Sequence, residues 1–192
     1  YTKQTFSKDR YSIWSMQCDW HNLPMINGVA QPFGGKYRSK DVRCDLKKGL
    51  FTLDLANAYP EEAACRSWIR SYRLTLKGRP SITITDSFSL ERRVNPDVEH
   101  FLVKGTVILP GEPYNGETVA EGELLILCDE GLTVKMTFPK TLKASVDIKP
   151  LDDPKFVKVW GSNLRRINLT SAANAPVKGH YEFRLTEVSP ER

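Results

Sequence analysis

The stretch YEFRLT at residues 181–186 places large apolar side chains at every second position, with polar side chains between them. A period of two is the strand period, because successive side chains on a strand point to opposite faces of a sheet. The same alternation recurs at residues 51–55, 72–76, 82–85, 133–138 and 146–149. Each stretch predicts a strand with one face on a core and the other in water.

Turn residues punctuate the chain between these strands, at residues 47–49, 77–79, 110–112, 115–116 and 130–131. Short, regular spacing of strands and turns is typical of an all-β sandwich or barrel. Helical periodicity is nearly absent. Residues 57–67 are the exception, because Pro60 suits a first helical turn and Glu61 and Glu62 suit the positive end of a helix dipole. This segment predicts one or two turns of helix joining two strands.

Composition sets broad limits on the class of protein. The chain has 192 residues and a formal net charge of +5, which mildly favours an anionic partner, although an ordinary solvated surface accounts for it as well. No apolar run approaches the roughly 18 residues that span a bilayer. The four cysteines are far apart in sequence and form no C-x-x-C pair, which excludes a zinc ribbon or a thioredoxin-type motif. No nucleophile elbow, P-loop or dinucleotide-binding glycine motif is present.

Histidines are the natural candidates for a metal site, and the chain has three. His100 and His180 lie near the starts of predicted strands, and we expect them to be surface or strand-end residues. His21 lies in a segment dense in polar and aromatic residues, two positions after Asp19. On a strand the two side chains would share a face, so they could supply two metal ligands or an oriented imidazole. A plain polar strand near a sheet edge is the alternative interpretation.

Four segments carry a resemblance to a known family. HNLPMING at residues 21–28, followed by Gln31, resembles the His-Asn-x-x-x-(Ile/Val)-(Asn/Asp)-Gly-x-x-Gln motif of the heparinase II/III-like polysaccharide lyases. LDLANAYP at 53–60 resembles that family's LDL-x-x-AYP segment. WIR at 68–70 and ITITDSF at 82–88 resemble its WxR and ITDxF core. The detailed match covers residues 1–90, and the remainder agrees in being rich in strands.

The resemblance implies a fold and a domain organisation. Members of this family have an N-terminal α/α toroid followed by a C-terminal antiparallel β-sandwich. We therefore expect residues 1–192 to be a single antiparallel β-sandwich domain of two large sheets, from the C-terminal part of a longer lyase whose toroid is not in this sequence. PLDDP at 150–154 is then a loop within the sandwich. The expected localisation is periplasmic or extracellular, in a bacterium.

The resemblance also implies a chemistry, which is β-elimination at a uronic acid. A base removes the C5 proton after the neighbouring carboxylate is neutralised, and an acid assists the leaving oxygen. The family's acid and base come largely from the toroid, so no catalytic residue is assigned in this chain.

By this resemblance His21 is a ligand of a divalent metal, usually zinc, in the full-length parent, with its co-ligands upstream and no metal bound by this fragment alone. Asn22 and Gln31 match motif positions and are candidate substrate contacts. Hydrogen bonding that holds the turn at residues 27–28 is the alternative for both.

The expected partners are an acidic polysaccharide, of heparan sulfate, chondroitin or alginate type, and the toroid of the same chain, rather than nucleic acid or a membrane. Lys36, Arg38, Lys40 and Arg43 could face such a polysaccharide. A non-catalytic module that binds carbohydrate is an alternative, with Trp14, Trp20 and Tyr37 as exposed stacking platforms. A purely structural support domain is a third reading.

Overall fold

A computed structural model describes residues 3–188, except for the side chains of residues 3, 4 and 130. Within them the strands are β1 (Pro24–Met25), β2 (Lys40–Asp45), β3 (Leu50–Asp54), β4 (Cys65–Thr75), β5 (Ser81–Leu90), β6 (Val98–Val103), β7 (Thr106–Ile108), β8 (Pro113–Tyr114), β9 (Glu117–Thr118), β10 (Glu123–Leu127), β11 (Thr133–Thr137), β12 (Lys143–Pro150), β13 (Asn163–Thr170) and β14 (Lys178–Val188). The one α-helix of the described chain, α1, spans Pro154–Trp160. Short 3-10 turns lie at Lys3–Phe6, Arg10–Ser12, Trp14–Met16, Cys18–Trp20, Ala56–Ala58, Glu61–Ala63 and Asp129–Gly131.

Two large sheets form the architecture, and all their strand pairs are antiparallel. The four-stranded sheet has the order β1-β6-β13-β12, and the eight-stranded sheet has the order β2-β3-β4-β5-β14-β11-β10-β7. A separate hairpin pairs β8 with β9. The predicted all-β antiparallel sandwich is confirmed, and the six stretches with a period of two lie in β3, β4, β5, β11, β12 and β14.

The core lies between the inner faces of the two large sheets. Trp68 and Phe183 of the larger sheet and Ile167 of the smaller sheet are fully buried. The Trp68 ring stacks on Phe88, with centroids 4.9 Å apart. Burying such a side chain stabilises the fold by roughly 1.5–3 kcal/mol.

The helix expected at residues 57–67 is wrong as a continuous element. Two separate 3-10 turns occupy Ala56–Ala58 and Glu61–Ala63, and β4 begins at Cys65. Ala64 lies between the second turn and β4, and its left-handed backbone conformation (φ 48°) ends that turn. Pro60 and the acidic pair that follows it begin a single 3-10 turn instead of a helix. The chain then enters β4 directly, which buries Trp68. The α-helix lies instead at the predicted 150–154 loop, where the Asp153 side chain caps α1 by accepting from Lys155 N (2.8 Å).

The N-terminal segment, defined as residues 10–23, lies on the outer face of the four-stranded sheet. Arg166 of β13 reaches out from that face and donates to the backbone carbonyl of Asp19 (2.8 Å). Trp14 contacts Phe156 of α1, with ring centroids 5.9 Å apart. The segment leads directly into β1, so these contacts determine where residues 21–23 lie. No helix within residues 3–188 has both the length and the apolar character needed to cross a membrane.

Candidate functional site

His21 lies at the junction between the N-terminal segment and β1, and its side chain is exposed. Its backbone N–H donates to Cys18 O (3.0 Å), and its carbonyl accepts from Leu23 N (2.8 Å). The main chain is therefore fixed on both sides of the residue, while the imidazole faces solvent. This is an accessible position for a ligand or a metal.

The residues around His21 do not make a zinc site by themselves. The expected strand is wrong at Asp19, because Cys18–Trp20 is a 3-10 turn and the two side chains do not alternate as on a strand. The Asp19 carboxylate instead pairs with Arg166 NH1 (3.2 Å). Among the described residues, no three His, Cys, Asp or Glu side chains converge as a metal site would require. A zinc bound at His21 would need ligands from outside this part of the chain.

Asn22 is tied into the sandwich by two hydrogen bonds. Its Oδ1 accepts from the backbone N–H of Leu102 (2.7 Å), and its backbone carbonyl accepts from Arg70 NH1 (3.3 Å). The first bond fastens the residue to β6 and the second to the interior of the sandwich. Asn22 therefore positions its neighbour His21. Its side chain remains exposed and accessible to a ligand.

A buried charge cluster lies beneath Asn22 and joins the two sheets. Arg70 of β4 donates to both carboxylate oxygens of Asp86 on β5, from Nε at 2.8 Å and from NH2 at 2.5 Å. The same NH2 donates to Glu99 Oε2 on β6. Burial raises the pKa of the Glu99 carboxyl well above its usual range. One guanidinium therefore bonds to both the Asp86 and the Glu99 carboxyl groups, and the WxR and ITDxF segments account for two of the three members.

Asn27 and Gly28, the Asn-Gly of the first motif, form a turn with left-handed φ values of 55° and 76°. Asn27 is fully buried. Its Nδ2 donates to two backbone carbonyls, those of Ala63 and Arg92, and its Oδ1 accepts from two backbone N–H groups, those of Val94 and Asn95. A Cβ on Gly28 would approach Asn95 Cβ to 2.7 Å. This part of the motif is structural.

Gln31 lies in a pocket of about 220 Å³, here called the Gln31 pocket. Its lining residues are Tyr11, Met16, Gln17, Cys18, Asp19, Ala30, Gln31, Pro32 and Phe33. The rings of Tyr11 and Phe33 stack with centroids 4.0 Å apart and planes 7° from parallel. The structure thus brings Gln31 together with Asp19 and an aromatic pair, while His21 and Asn22 are not part of the lining.

Sequence reasoning missed Tyr11 and Phe33 because they are distant in sequence, Tyr11 in the 3-10 turn Arg10–Ser12 and Phe33 in the loop between β1 and β2. The only signal was QPFGG at residues 31–35, a large aromatic beside two glycines, and Phe33 is 64% exposed. Trp14 and Trp20, which the sequence suggested as exposed stacking platforms, are not in this pocket. Trp14 and Trp20 are half-buried, contact each other edge to face with centroids 5.2 Å apart, and anchor the N-terminal segment.

Trp20 contacts a second polar cluster, on the outer face of the four-stranded sheet. The Arg166 guanidinium lies 4.4 Å from the Trp20 ring centroid and donates from NH2 to Asp147 (2.7 Å). Asn168 donates to the same Asp147 oxygen (3.0 Å), and its own Oδ1 lies 2.9 Å from His100 Nδ1.

The expectation that His100 is a surface residue is wrong, because the N-terminal segment covers it and leaves it 3% exposed. Its Nε2 is buried and has no hydrogen-bond partner among the described residues. Burial, and then the charge of Arg166, lowers the pKa of the His100 imidazole.

A second cleft, of about 360 Å³, is lined by Lys36, Tyr37, Asn57, Tyr59, Pro60, Glu61 and Glu62. Tyr37 is half-buried, and the Lys36 ammonium lies 4.7 Å from its ring centroid. Lys36 and Arg38 are both exposed here, as the interpretation of a basic surface requires. The same stretch of chain carries Phe33 of the Gln31 pocket, but Lys36 lines this second cleft and Arg38 lines neither.

Comparison with known proteins gives a match in structure but not in sequence. No family model and no curated protein matches the sequence. Among solved structures, the chain is similar to a heparinase III, the BT4657 gene product, with a TM-score of 0.63 and 13% identity over 98% of this chain and 27% of that one. It is also similar to the heparan sulfate lyase HepC from Pedobacter heparinus, with a TM-score of 0.52 and 13% identity over 93% of this chain and 26% of that one.

The chain therefore has a heparinase-like fold, and the resemblance found in its sequence is confirmed at the level of the fold. It spans about a quarter of the length of the lyases it matches.

Proposed function

We propose that this chain is the β-sandwich domain of a polysaccharide lyase that cleaves a uronic-acid-containing polysaccharide by β-elimination. The observation that carries the proposal is the similarity in fold, which covers nearly the whole chain and about a quarter of two glycosaminoglycan lyases. Fold alone is weak support for an activity. The motif residues add to it, because Asn22, Asn27 and Arg70 build the junction that presents His21.

In this proposal the domain supports a catalytic toroid and contributes one wall of the substrate cleft. His21 is one ligand of a zinc or similar divalent ion that is completed by residues elsewhere in the parent protein. Gln31 contacts the polysaccharide from the Gln31 pocket, and Asn22 contributes through its exposed side-chain amide. The net charge of +5 and the exposed Lys36 and Arg38 favour an acidic chain, of heparan sulfate, chondroitin or alginate type. Periplasmic or extracellular localisation follows from such a substrate.

The test is product formation by a full-length parent that contains this chain. Incubation with the three polysaccharides should give the ultraviolet absorbance of an unsaturated uronate for one of them, and the 192-residue chain alone should give none. His21→Ala in the parent should lower both bound zinc and turnover. Unchanged zinc content would refute the ligand assignment, and turnover by the isolated chain would refute the division of labour.

A non-catalytic carbohydrate-binding module is the second candidate function, and the exposed Phe33 beside Gln31 favours it. In that case the isolated chain and the parent would both bind an acidic polysaccharide, and neither would release an unsaturated product.

A further inference from the structure

A row of hydroxyl groups runs along β5 on the outer face of the eight-stranded sheet. Thr83, Thr85, Ser87 and Ser89 point away from the core, because the residues that alternate with them are buried. Their side chains are short, and three of the four are half-buried, whereas the neighbouring strands β4 and β14 carry longer, exposed side chains on the same face. The row and its outward-facing neighbours at residues 67–73 and 178–184 are here called the β5 surface.

Each end of the row places a hydroxyl group beside cationic side chains. Thr83 lies directly between Arg73 of β4 and Arg184 of β14 in the strand register. Opposed residues on adjacent antiparallel strands have Cβ atoms about 5 Å apart, so both guanidinium groups can reach a ligand above Thr83. At the other end, Ser89 lies opposite Lys178.

The hydroxyl groups at the two ends are also the ones left open to a ligand. In the middle of the row, the Thr85 hydroxyl bonds to Ser71, and Ser87 Oγ lies 3.2 Å from His180 Nδ1. Across residues 3–188, the hydroxyl groups at positions 83 and 89 have no such side-chain partner. Each end can therefore offer an anion one hydroxyl donor together with a positive charge.

The cations of the β5 surface are not neutralised by the part of the chain that the structure describes. Arg73, Arg184 and Lys178 are exposed and have no carboxylate partner there. Glu182 is the only carboxylate that faces outward among residues 67–73, 83–89 and 178–184. Arg43 of β2, also exposed and without a partner among these residues, lies on the same face. The surface therefore has an excess of positive charge, which attracts an anion.

The separation of the two ends favours an extended polyanion over a small anion. Thr83 and Ser89 are six positions apart on one strand, which places them about 20 Å apart at about 3.4 Å per residue. A small anion can occupy one end only, whereas a chain with carboxylate or sulfate groups at intervals can reach both. No Phe, Tyr or Trp of the β5 surface faces outward, so it lacks the stacking platforms by which proteins bind single-stranded nucleic acid.

We infer that the β5 surface is a second, non-catalytic binding site for the acidic polysaccharide. This inference rests on the proposed function and deepens it. The N-terminal segment that ends beside His21 lies on the outer face of the four-stranded sheet, so the β5 surface is on the opposite side of the sandwich. The same sugar units cannot occupy both places. A long chain held at the β5 surface stays at a high effective concentration near the cleft between cleavage events.

The experiment titrates the nitrogen-15-labelled 192-residue chain with hexasaccharides and disaccharides of heparan sulfate, chondroitin and alginate, and with neutral cellohexaose. At least one acidic hexasaccharide should shift the amides of Thr83, Ser89 and Arg184, and cellohexaose should not. The corresponding disaccharide, too short to reach both ends, should bind at least about tenfold more weakly. An absence of these shifts with all three acidic hexasaccharides would overturn the inference, as would tighter binding of a six-nucleotide oligothymidylate at the same amides.

Charge variants test whether the named cations hold the ligand. Arg73→Gln combined with Arg184→Gln should weaken hexasaccharide binding at the β5 surface at least about fivefold. Lys155→Gln combined with Lys158→Gln removes two exposed charges from α1 and is the matched control, with an expected change below about twofold. Glu182→Gln should tighten binding about two- to fivefold, a gain that misfolding cannot produce. Equal weakening by the two double variants, or no tightening by Glu182→Gln, would overturn the inference.

Kinetics of the full-length parent separate this inference from the proposed function. Arg73→Gln combined with Arg184→Gln should raise KM for the long polysaccharide at least about threefold and leave kcat nearly unchanged. Unsaturated product with an unchanged KM would refute the inference and leave the proposed function standing. Binding at the β5 surface without unsaturated product from any of the three polysaccharides would refute the proposed function, and the β5 surface would then belong to a binding module.

Discussion

Replacing Asn27 by Ala should be among the most damaging single changes in this chain, although the residue lies in a turn. Its side chain makes four hydrogen bonds to backbone groups, with donor–acceptor distances of 3.2, 3.1, 2.7 and 3.0 Å. At a net value of about 1 kcal/mol each, their loss costs about 4 kcal/mol. Alanine in the left-handed conformation adds about 1 kcal/mol, for a total of about 5 kcal/mol. That is a large share of the roughly 5–15 kcal/mol by which domains are stable.

The chain supplies its own control for this prediction. Asn115 also precedes a glycine and has nearly the same backbone conformation (φ 50°), but it is exposed. Asn115→Ala should therefore cost only the backbone contribution of about 1 kcal/mol. Urea unfolding followed by tryptophan fluorescence measures both variants, and Asn27→Gly separates the hydrogen bonds from the backbone conformation. Equal losses for Asn27→Ala and Asn115→Ala would refute the reasoning and reopen a binding role for the Asn-Gly of the motif.

Three further predictions concern two buried side chains, Glu99 and His100, and the exposed Gly179. Burial raises the pKa of the Glu99 carboxyl in the folded state, so stability should fall as pH rises above the ordinary glutamate value of about 4.3, by up to about 1.4 kcal/mol per pH unit. Glu99→Gln should flatten this slope in urea unfolding, and an unchanged slope would contradict the raised pKa. Because the pKa of the His100 imidazole is lowered in the folded state, stability should be lost as pH falls below about 6.5. His100→Asn can keep the hydrogen bond to Asn168 and should reduce this loss. An equal loss of stability in the variant would show that other groups cause it. Gly179→Ala should lower the free energy of unfolding by about 1–3 kcal/mol, because the added Cβ would lie 2.6 Å from the Phe88 ring. Gly35→Ala is the control and should be nearly neutral, because Gly35 has open space around it. Similar melting temperatures for the two variants would show that the Phe88 ring moves aside.

The parts of the fold that the sequence predicted are those where one face of a strand is apolar and the other meets water. In β14, for example, Tyr181 and Phe183 point into the core between polar neighbours. In β6 the alternation fails because both faces are buried and both carry polar groups. Glu99 points inward to Arg70, and His100 lies beneath the N-terminal segment. The partners of these two groups, Arg70 and Asn168, are distant in sequence, so no local pattern could reveal them.

The sequence identified residues of the candidate site, but it could not predict their contacts. The motif resemblance identified His21, Asn22 and Gln31, but it could not say that Asn22 is fastened to β6 or that Gln31 lies apart from His21. The Gln31 pocket depends on how the N-terminal segment packs on the four-stranded sheet through Arg166, a residue 147 positions from Asp19. Contacts over such separations follow from the tertiary fold rather than from local spacing.

We propose that this heparinase-like sandwich presents the surface around His21 and the Gln31 pocket to an acidic polysaccharide. Amide shifts of the nitrogen-15-labelled chain, titrated with hexasaccharides of heparan sulfate, chondroitin and alginate, test it most directly. At least one hexasaccharide should shift amides of His21, Gln31 and the loop carrying Lys36. An absence of shifts with all three, or shifts confined to the outer face of the eight-stranded sheet, would contradict it.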